Sequence, residues 1–171
     1  DVLTLANATN TITVTDIETV NGNAGVDTIS VASANSVTVD LAGGAGNDTL
    51  SGASGSNVIF SGDGGNDTFT GGGFANFKGF DTLDYSSDAG NGGSGAVTVS
   101  LSGGSATDGF GATDSFSSIE QVIGTAGADT ITGSDTSGVA NPFFNDFEAF
   151  AGLGGNDTIN GVAGFDRVDY S

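Results

Sequence analysis

Short runs in which apolar and polar residues alternate recur along the chain, separated by clusters of Gly, Asn, Asp and Ser. TITVTD (11–16), VTVDL (37–41) and VTVSL (97–101) alternate with period two, which predicts short strands. The intervening clusters predict tight turns, because Gly, Asn and Asp supply the backbone conformations a turn needs. No segment sustains a 3.6-residue apolar period over three turns, so helices are not expected. The pattern predicts an all-β chain built from very short strands.

The turns themselves repeat. A nine-residue frame G-x-x-G-x-D-x-U-x, with U apolar, fits six windows: GNAGVDTIS (22–30), GGAGNDTLS (43–51), GDGGNDTFT (62–70), GTAGADTIT (124–132), GLGGNDTIN (152–160) and GVAGFDRVD (161–169). NFKGFDTLD (76–84) lacks only the first Gly, and GASGSNVIF (52–60) has Asn57 in place of the Asp. Larger units recur too: IETVNGNAGVDTI (17–29) returns as IEQVIGTAGADTI (119–131), and GFDTLDYS (79–86) as GFDRVDYS (164–171). The chain is made of related blocks with irregular insertions. It starts at Asp1 without Met, and its last block stops where the earlier copy runs on, as expected of a piece of a longer array.

Charge sharpens this picture. Among 171 residues there is no Met, His, Cys or Trp; Lys78 and Arg167 are the only basic residues, and 21 carboxylates give a net charge of −19. Nucleic acid is excluded as a partner, since phosphate contacts need Lys and Arg, and an anionic membrane surface is disfavoured for the same reason. Self-repulsion opposes a compact state unless something cationic neutralises it, and a metal ion is the obvious candidate. No apolar run approaches ~18 residues, so no membrane-spanning helix and no membrane insertion is expected.

The nonapeptides resemble the RTX (hemolysin-type) calcium-binding repeats of large secreted bacterial adhesins and surface proteins. IEQVIGTAGADTITG and VTVSLSGGSATDGFGATDS resemble segments that accompany such repeats. The resemblance implies a parallel β-roll or irregular β-solenoid, with several calcium ions bound in the Gly/Asp-rich turns. It implies two nonapeptides per coil and ions between turns one coil apart. The chemistry is coherent: calcium takes ~6–8 oxygens from carboxylates and carbonyls, glycine lets carbonyls converge, Asp at position six adds charge, and position eight enters the core. Asp48 and Asp67 lie 19 residues apart, one more than two repeats; with Ser61 as an inserted residue they stack on one side and form the leading candidate site. The candidate ligands are the carboxylates of Asp27, Asp48, Asp67, Asp81, Asp129, Asp157 and Asp166, with carbonyls from Gly22, Ala24, Gly43, Ala45, Gly62, Gly64, Gly124, Ala126, Gly152, Gly154, Gly161 and Ala163. Asp157 and Asp166, nine apart, belong to opposite sides. Glu18 and Glu120 stand at position six after poor turns and read as solvated charges or as ligands. The bland alternative is that all these turns are only turns.

The frames are not contiguous, and 86–118 carries none. There VTVSL reads as a longer strand and DGFGATDSF as a loop. These departures favour an irregular solenoid with wide coils over a narrow two-sheet roll; a β-sandwich with calcium at its rim is the alternative fold. Blocks 1–86 and 87–171, the second with a Phe-rich insertion, are expected to form one continuous solenoid whose first coil comes from the N-terminal stretch. FANFKGF (74–80) and NPFFNDFEAF (141–150) read as lids over an open edge, as patches for neighbouring copies or domains, or as a sugar-stacking platform. Asn-x-Thr triplets at Asn7, Asn47, Asn66 and Asn156 belong mostly to the repeat and are not read as glycosylation signals. No Ser has a His to activate it, and carboxylates are too many to single out a hydrolytic pair, so no enzyme is expected. The resemblance implies an extracellular or bacterial cell-surface location, type I secretion, and a structural or adhesive calcium-dependent module of an adhesin, S-layer or filament. The alternatives are a carbohydrate-binding accessory module of an extracellular enzyme and the repeat domain of a secreted toxin.

Overall fold

The computed structural model describes residues 1–33, 37–73, 79–135 and 147–169. The chain winds as a roll, each coil laying one strand in each of two sheets. Coil one contributes β1 (Val2–Thr4) and β2 (Thr11–Val14), coil two β3 (Thr19–Asn21) and β4 (Thr28–Val31), coil three β5 (Val39–Ala45) and β6 (Thr49–Ser51), and coil four β7 (Val58–Gly64) and β8 (Thr68–Thr70). Coil five has β9 (Thr82–Asp84), a single helical turn α1 (Asp88–Asn91), β10 (Thr98–Ser100), β11 (Ser105–Thr107) and β12 (Thr113–Ser117). Then follow β13 (Gln121–Ile123) and β14 (Thr130–Thr132), β15 (Phe147–Ala151) and β16 (Thr158–Asn160), and β17 (Phe165–Asp169).

The first sheet runs β1-β3-β5-β7-β9-β13-β15-β17, all parallel; the second runs β16-β14-β10-β11-β12-β8-β6-β4-β2. Parallel pairing of successive coils is that of a roll, not of a sandwich. The coils are narrower than the insertions suggest: apart from the fifth, each uses one strand per sheet. In the fifth, β12 lies parallel to β8, β11 turns back antiparallel, and β10 turns again to lie parallel to β14. VTVSL is therefore a three-residue strand, and the second half of DGFGATDSF is strand β12 rather than loop. The two sequence blocks meet at β9, which pairs with β7 and with β13.

Period two puts one residue per short strand inward, and parallel register stacks it on its equivalent one coil away. In the first sheet Leu3, Val20, Leu41, Phe60, Leu83, Val122, Phe150 and Val168 form one column. In the second, Ile12, Ile29, Leu50, Phe69 and Phe116 form one, and Val99, Ile131 and Ile159 continue it beyond the meander. Most are almost fully buried, and Phe60 meets Phe69 across the core at 5.7 Å between ring centroids. Each such burial is worth roughly 1.5–3 kcal/mol, and the columns hold the turns in register.

Of the Phe-rich insertions, Phe74, Phe77, Phe143 and Phe144 lie outside the described residues, as does Lys78. Phe150 is a core residue, and Phe80 meets Phe147 in a tilted contact at 5.8 Å between ring centroids, joining the described ends of the two insertions.

Candidate metal centre in the stacked turns

Two residues before the inward residue stands position six of the frame, at the edge where turn becomes strand; Asp27, Asp48, Asp67, Asp81 and Asp129 are buried there, Asp157 is partly buried and Asp166 exposed. In the second sheet these positions form a hydrogen-bonded column. The Asn10 backbone N–H donates to Asp27 Oδ1 (2.8 Å), that of Asp27 to Asp48 Oδ1 (2.7 Å), that of Asp48 to Asp67 Oδ1 (2.8 Å), and that of Asp67 to Asp114 Oδ1 (2.9 Å). Beyond the meander the Val97 N–H donates to Asp129 Oδ1 (2.8 Å) and that of Asp129 to Asp157 Oδ1 (3.0 Å). One oxygen of each carboxylate thus caps the coil before it. Asp48 and Asp67, the leading sequence candidates, occupy consecutive coils.

The second oxygen carries the chemistry. Oδ2 of Asp27, Asp48 and Asp67 is buried with no hydrogen-bond partner. An uncompensated buried carboxylate oxygen is costly, and burial, with neighbouring carboxylates adding to it, raises the pKa of Asp48 and pushes Asp67 up to about 8. Each Oδ2 lies against the first Gly of its own frame, where a side chain would collide with it: Gly22 with Asp27, Gly43 with Asp48, Gly62 with Asp67, Gly124 with Asp129, Gly152 with Asp157 and Gly161 with Asp166. At Gly22 the Gly43 carbonyl of the next coil and Asp27 Oδ2 both fall within 2.7 Å of the point a Cβ would fill. A carboxylate and a carbonyl from adjacent coils, facing a space that only glycine leaves open, are the donors a hard divalent cation takes. The residues fit calcium.

The turn geometry that makes this space is unusual. Positions two and four are left-handed in most frames: Asn23 and Gly25, Gly44 and Gly46, Asp63 and Gly65, Leu153 and Gly155, Val162 and Gly164. Leu153 (φ 62°) and Val162 (φ 69°) hold it at a cost of about 1–3 kcal/mol each, so the frame overrides their own preference. The position-three carbonyls of Ala45 and Gly64 accept the N–H groups of Gly25 and Gly46 at 2.8 Å, leaving each a second lone pair. Ala24 bridges to Ala45 across the coils. Gly154 lies 3.5 Å from the Ala126 carbonyl, measured from its ideal Cβ. Ala163 is exposed in the last turn.

Position six on the opposite edge is different. Asp81 Oδ1 accepts the Val58 N–H (2.9 Å) and its Oδ2 the Gly72 N–H (2.8 Å), so both oxygens are engaged. Its own N–H donates to Glu120 Oε2 at 2.8 Å. Glu120 is thus a stitching carboxylate rather than a solvated charge; burial, then the charges of Asp81 and Glu148, pushes it up to about 7. Glu18 is half-exposed and pairs with the N-terminal amine. Asp166 lies in β17, on this opposite sheet, whereas Asp157 precedes β16.

Two residues escaped the sequence reading. Asp114 takes position six next to Asp67, and GFGATDSFS (109–117) holds the frame but for Ala112 in place of the second Gly. Glu148 is buried, receives the Ser134 N–H at 2.9 Å, and lies against Gly133 beside the Gly161 carbonyl. Its signal is only Glu-x-Phe, with no Gly turn before it. Among the described residues no group of three or more acidic side chains closes on one point; the oxygens come one carboxylate per coil, with carbonyls between.

The family model of the RTX calcium-binding nonapeptide repeat matches four copies, over residues 42–77, 115–136 and 150–169, just under half of the chain. The chain carries RTX repeats, calcium-binding modules typical of secreted bacterial proteins. No curated protein matches it. No helix among the described residues is long and apolar enough to cross a membrane.

Proposed function

We propose that the chain is a calcium-dependent structural module of a secreted or cell-surface bacterial protein such as an adhesin, surface layer or filament, folding as one continuous solenoid when it meets calcium outside the cell. The carrying observation is the row of buried, unpartnered Oδ2 atoms of Asp27, Asp48 and Asp67, each beside a glycine cradle. The ligands would be these carboxylates, then Asp157 and Asp166, with the position-one and position-three carbonyls of their turns; Asp129, both of whose oxygens already accept bonds from Thr125, would bind more weakly. Calcium supplies positive charge that the chain lacks, offsetting repulsion among its 21 carboxylates. Extracellular modules bind calcium at roughly 10⁻⁴–10⁻³ M, so export before folding is consistent with this reading. The test is far-UV circular dichroism after chelator treatment, titrated with calcium and with magnesium as control. A calcium-specific rise in β signal is expected; a chain equally β-structured in chelator would overturn the reading.

A carbohydrate-binding accessory role is the second reading. An open groove of about 450 Å³ crosses the turns, lined among others by Asn7, Asn21, Asn23, Asp63, Asn91 and Phe110. Amides beside an exposed aromatic ring suit a polyhydroxylated ligand. Retention on a polysaccharide affinity gel, lost in Phe110→Ala, would favour it; no retention on any neutral or acidic polysaccharide tested would sink it.

A further inference from the structure

The turn row of coils two to four ends at 62–67. The next coil carries the near-frame turn 109–114, with Ala112 in place of the second Gly and Asp108 just ahead of it, and α1 and the turn 108–112 lean over the row. Asn91 Nδ2 donates to Asp63 Oδ1 at 2.7 Å, and Phe110 covers Gly64. This seam brings in two buried carboxylates that no repeat frame contains, Asp88 and Asp108, 1% and 2% exposed. Asp88 Oδ2 accepts the Gly109 N–H at 2.8 Å, which ties the helical turn to the loop. Asp108 Oδ1 holds the loop closed by accepting the N–H groups of Phe110 (3.0 Å) and Ala112 (2.7 Å). Its Oδ2 is buried with no partner, like those of the repeat aspartates.

The surroundings make that oxygen harder to leave bare. Tyr85 is buried and donates its hydroxyl to Asp114 Oδ2 at 3.1 Å. No basic side chain among the described residues bonds to Asp67, Asp88, Asp108 or Asp114. A buried carboxylate oxygen with neither a hydrogen-bond partner nor a counter-charge among the described residues is costly, and a cation from solution would satisfy it.

We propose that the seam is a calcium site outside the repeat, with Asp108 as its central ligand and Asp88 as the second carboxylate, completed by backbone oxygens and water. The site fastens the insertion onto the last turn of the row. The inference rests on the calcium reading of the repeats but does not follow from it, because neither ligand belongs to a frame.

Tyr85 gives a local readout, since a buried phenol sensitises terbium emission only over a short range, and terbium replaces calcium at oxygen sites. The full chain would be titrated with terbium under tyrosine excitation and, separately, with calcium by calorimetry. Asp108→Asn keeps the Oδ1 acceptor of the loop and removes the charge; it should lower the calcium count by one and cut sensitised emission several-fold. Tyr85→Phe, which leaves both ligands in place and Tyr170 as the other tyrosine, should cut that emission several-fold while the calcium count stays. If both variants leave emission and calcium count unchanged, while calcium still drives the dichroism transition, the seam site is refuted and the repeat reading stands. If the chain binds neither ion, both fail together.

Discussion

Turns 43–48 and 124–129 share the frame G-x-A-G-x-D-T-U, yet they hold their carboxylates in opposite ways. In the first, Gly44 and Gly46 are left-handed and Asp48 Oδ2 is buried without a partner. In the second neither Thr125 nor Gly127 is left-handed; the Thr125 N–H donates to Asp129 Oδ2 (2.7 Å) and its hydroxyl to Oδ1 (2.9 Å), then accepts the Gly127 N–H (3.0 Å). The stacking neighbours differ as well: Asp48 follows a framed turn at 22–27, whereas Asp129 follows Val97, from the meander. Leu153 is left-handed in its own turn, so bulk at position two does not close a turn. The threonine hydroxyl and the missing neighbour do. The frame fixes where the carboxylate sits; position two and the adjacent coil decide whether it stays open for a cation.

Removing calcium is the largest perturbation of this contrast. Hydrogen exchange in chelator should show turns 22–27, 43–48 and 62–67 losing protection almost completely, with Thr125 and Gly127 losing markedly less. Equal loss in both regions would break the distinction. In the same chelator, pH should act next most strongly. Asp67, Asp88 and Asp114 are pushed up to about 8, 7 and 6 by burial, with neighbouring carboxylates adding to it. Their unfolded values lie near ~3.9, so the folded chain binds protons more tightly than the unfolded one. Metal-free stability is therefore greatest in acid, near pH ~4, and falls as pH rises through 6 to 8. A residual metal-free β signal that climbs over that range would contradict it.

Smaller effects come from single residues. Gly46→Ala places a Cβ on a left-handed residue against the Gly25 carbonyl and should cost about 3 kcal/mol. Gly127→Ala meets Ala96 at 3.1 Å from an ordinary backbone conformation and should cost about 1 kcal/mol, both read from thermal melts in calcium. Asp48→Asn keeps the acceptor for the Asp27 N–H and removes the charge. It should weaken calcium binding about tenfold, a loss of ~1.4 kcal/mol, while leaving the chain no less stable in chelator; Asp129→Asn should change affinity less. Thr125→Val, which removes one hydroxyl bond, is the mildest, at about 1 kcal/mol.

The nonapeptide spacing made the roll legible: of the residues read at position eight, Ile29, Leu50, Phe69, Leu83 and Ile131 are buried, and Ile159 and Val168, in the last coils, are partly buried against the same core. The same spacing put Asp48 and Asp67 on one edge. It did not show that Asp67 would meet Asp114, 47 residues away, because periodicity sees neighbours along the chain and the insertion lies between them. The state of Asp129 was hidden for another reason: one hydroxyl, invisible to a frame that leaves position two open, competes for the carboxylate. Glu148 was hidden because its glycine, Gly133, belongs to a different segment and reaches it only through stacking.

The meander also changes the shape of the stack. Between β8 and β14 the second sheet holds three strands, where the first sheet has only β9 between β7 and β13. At about 4.8 Å per strand, one wall of the roll is longer than the other by roughly 10 Å at this coil. The insertion is then a keystone. A line of identical coils would run straight apart from its twist, and a wedge at a defined place turns it by a set angle, so the spacing of such wedges would set the curvature of a longer fibre.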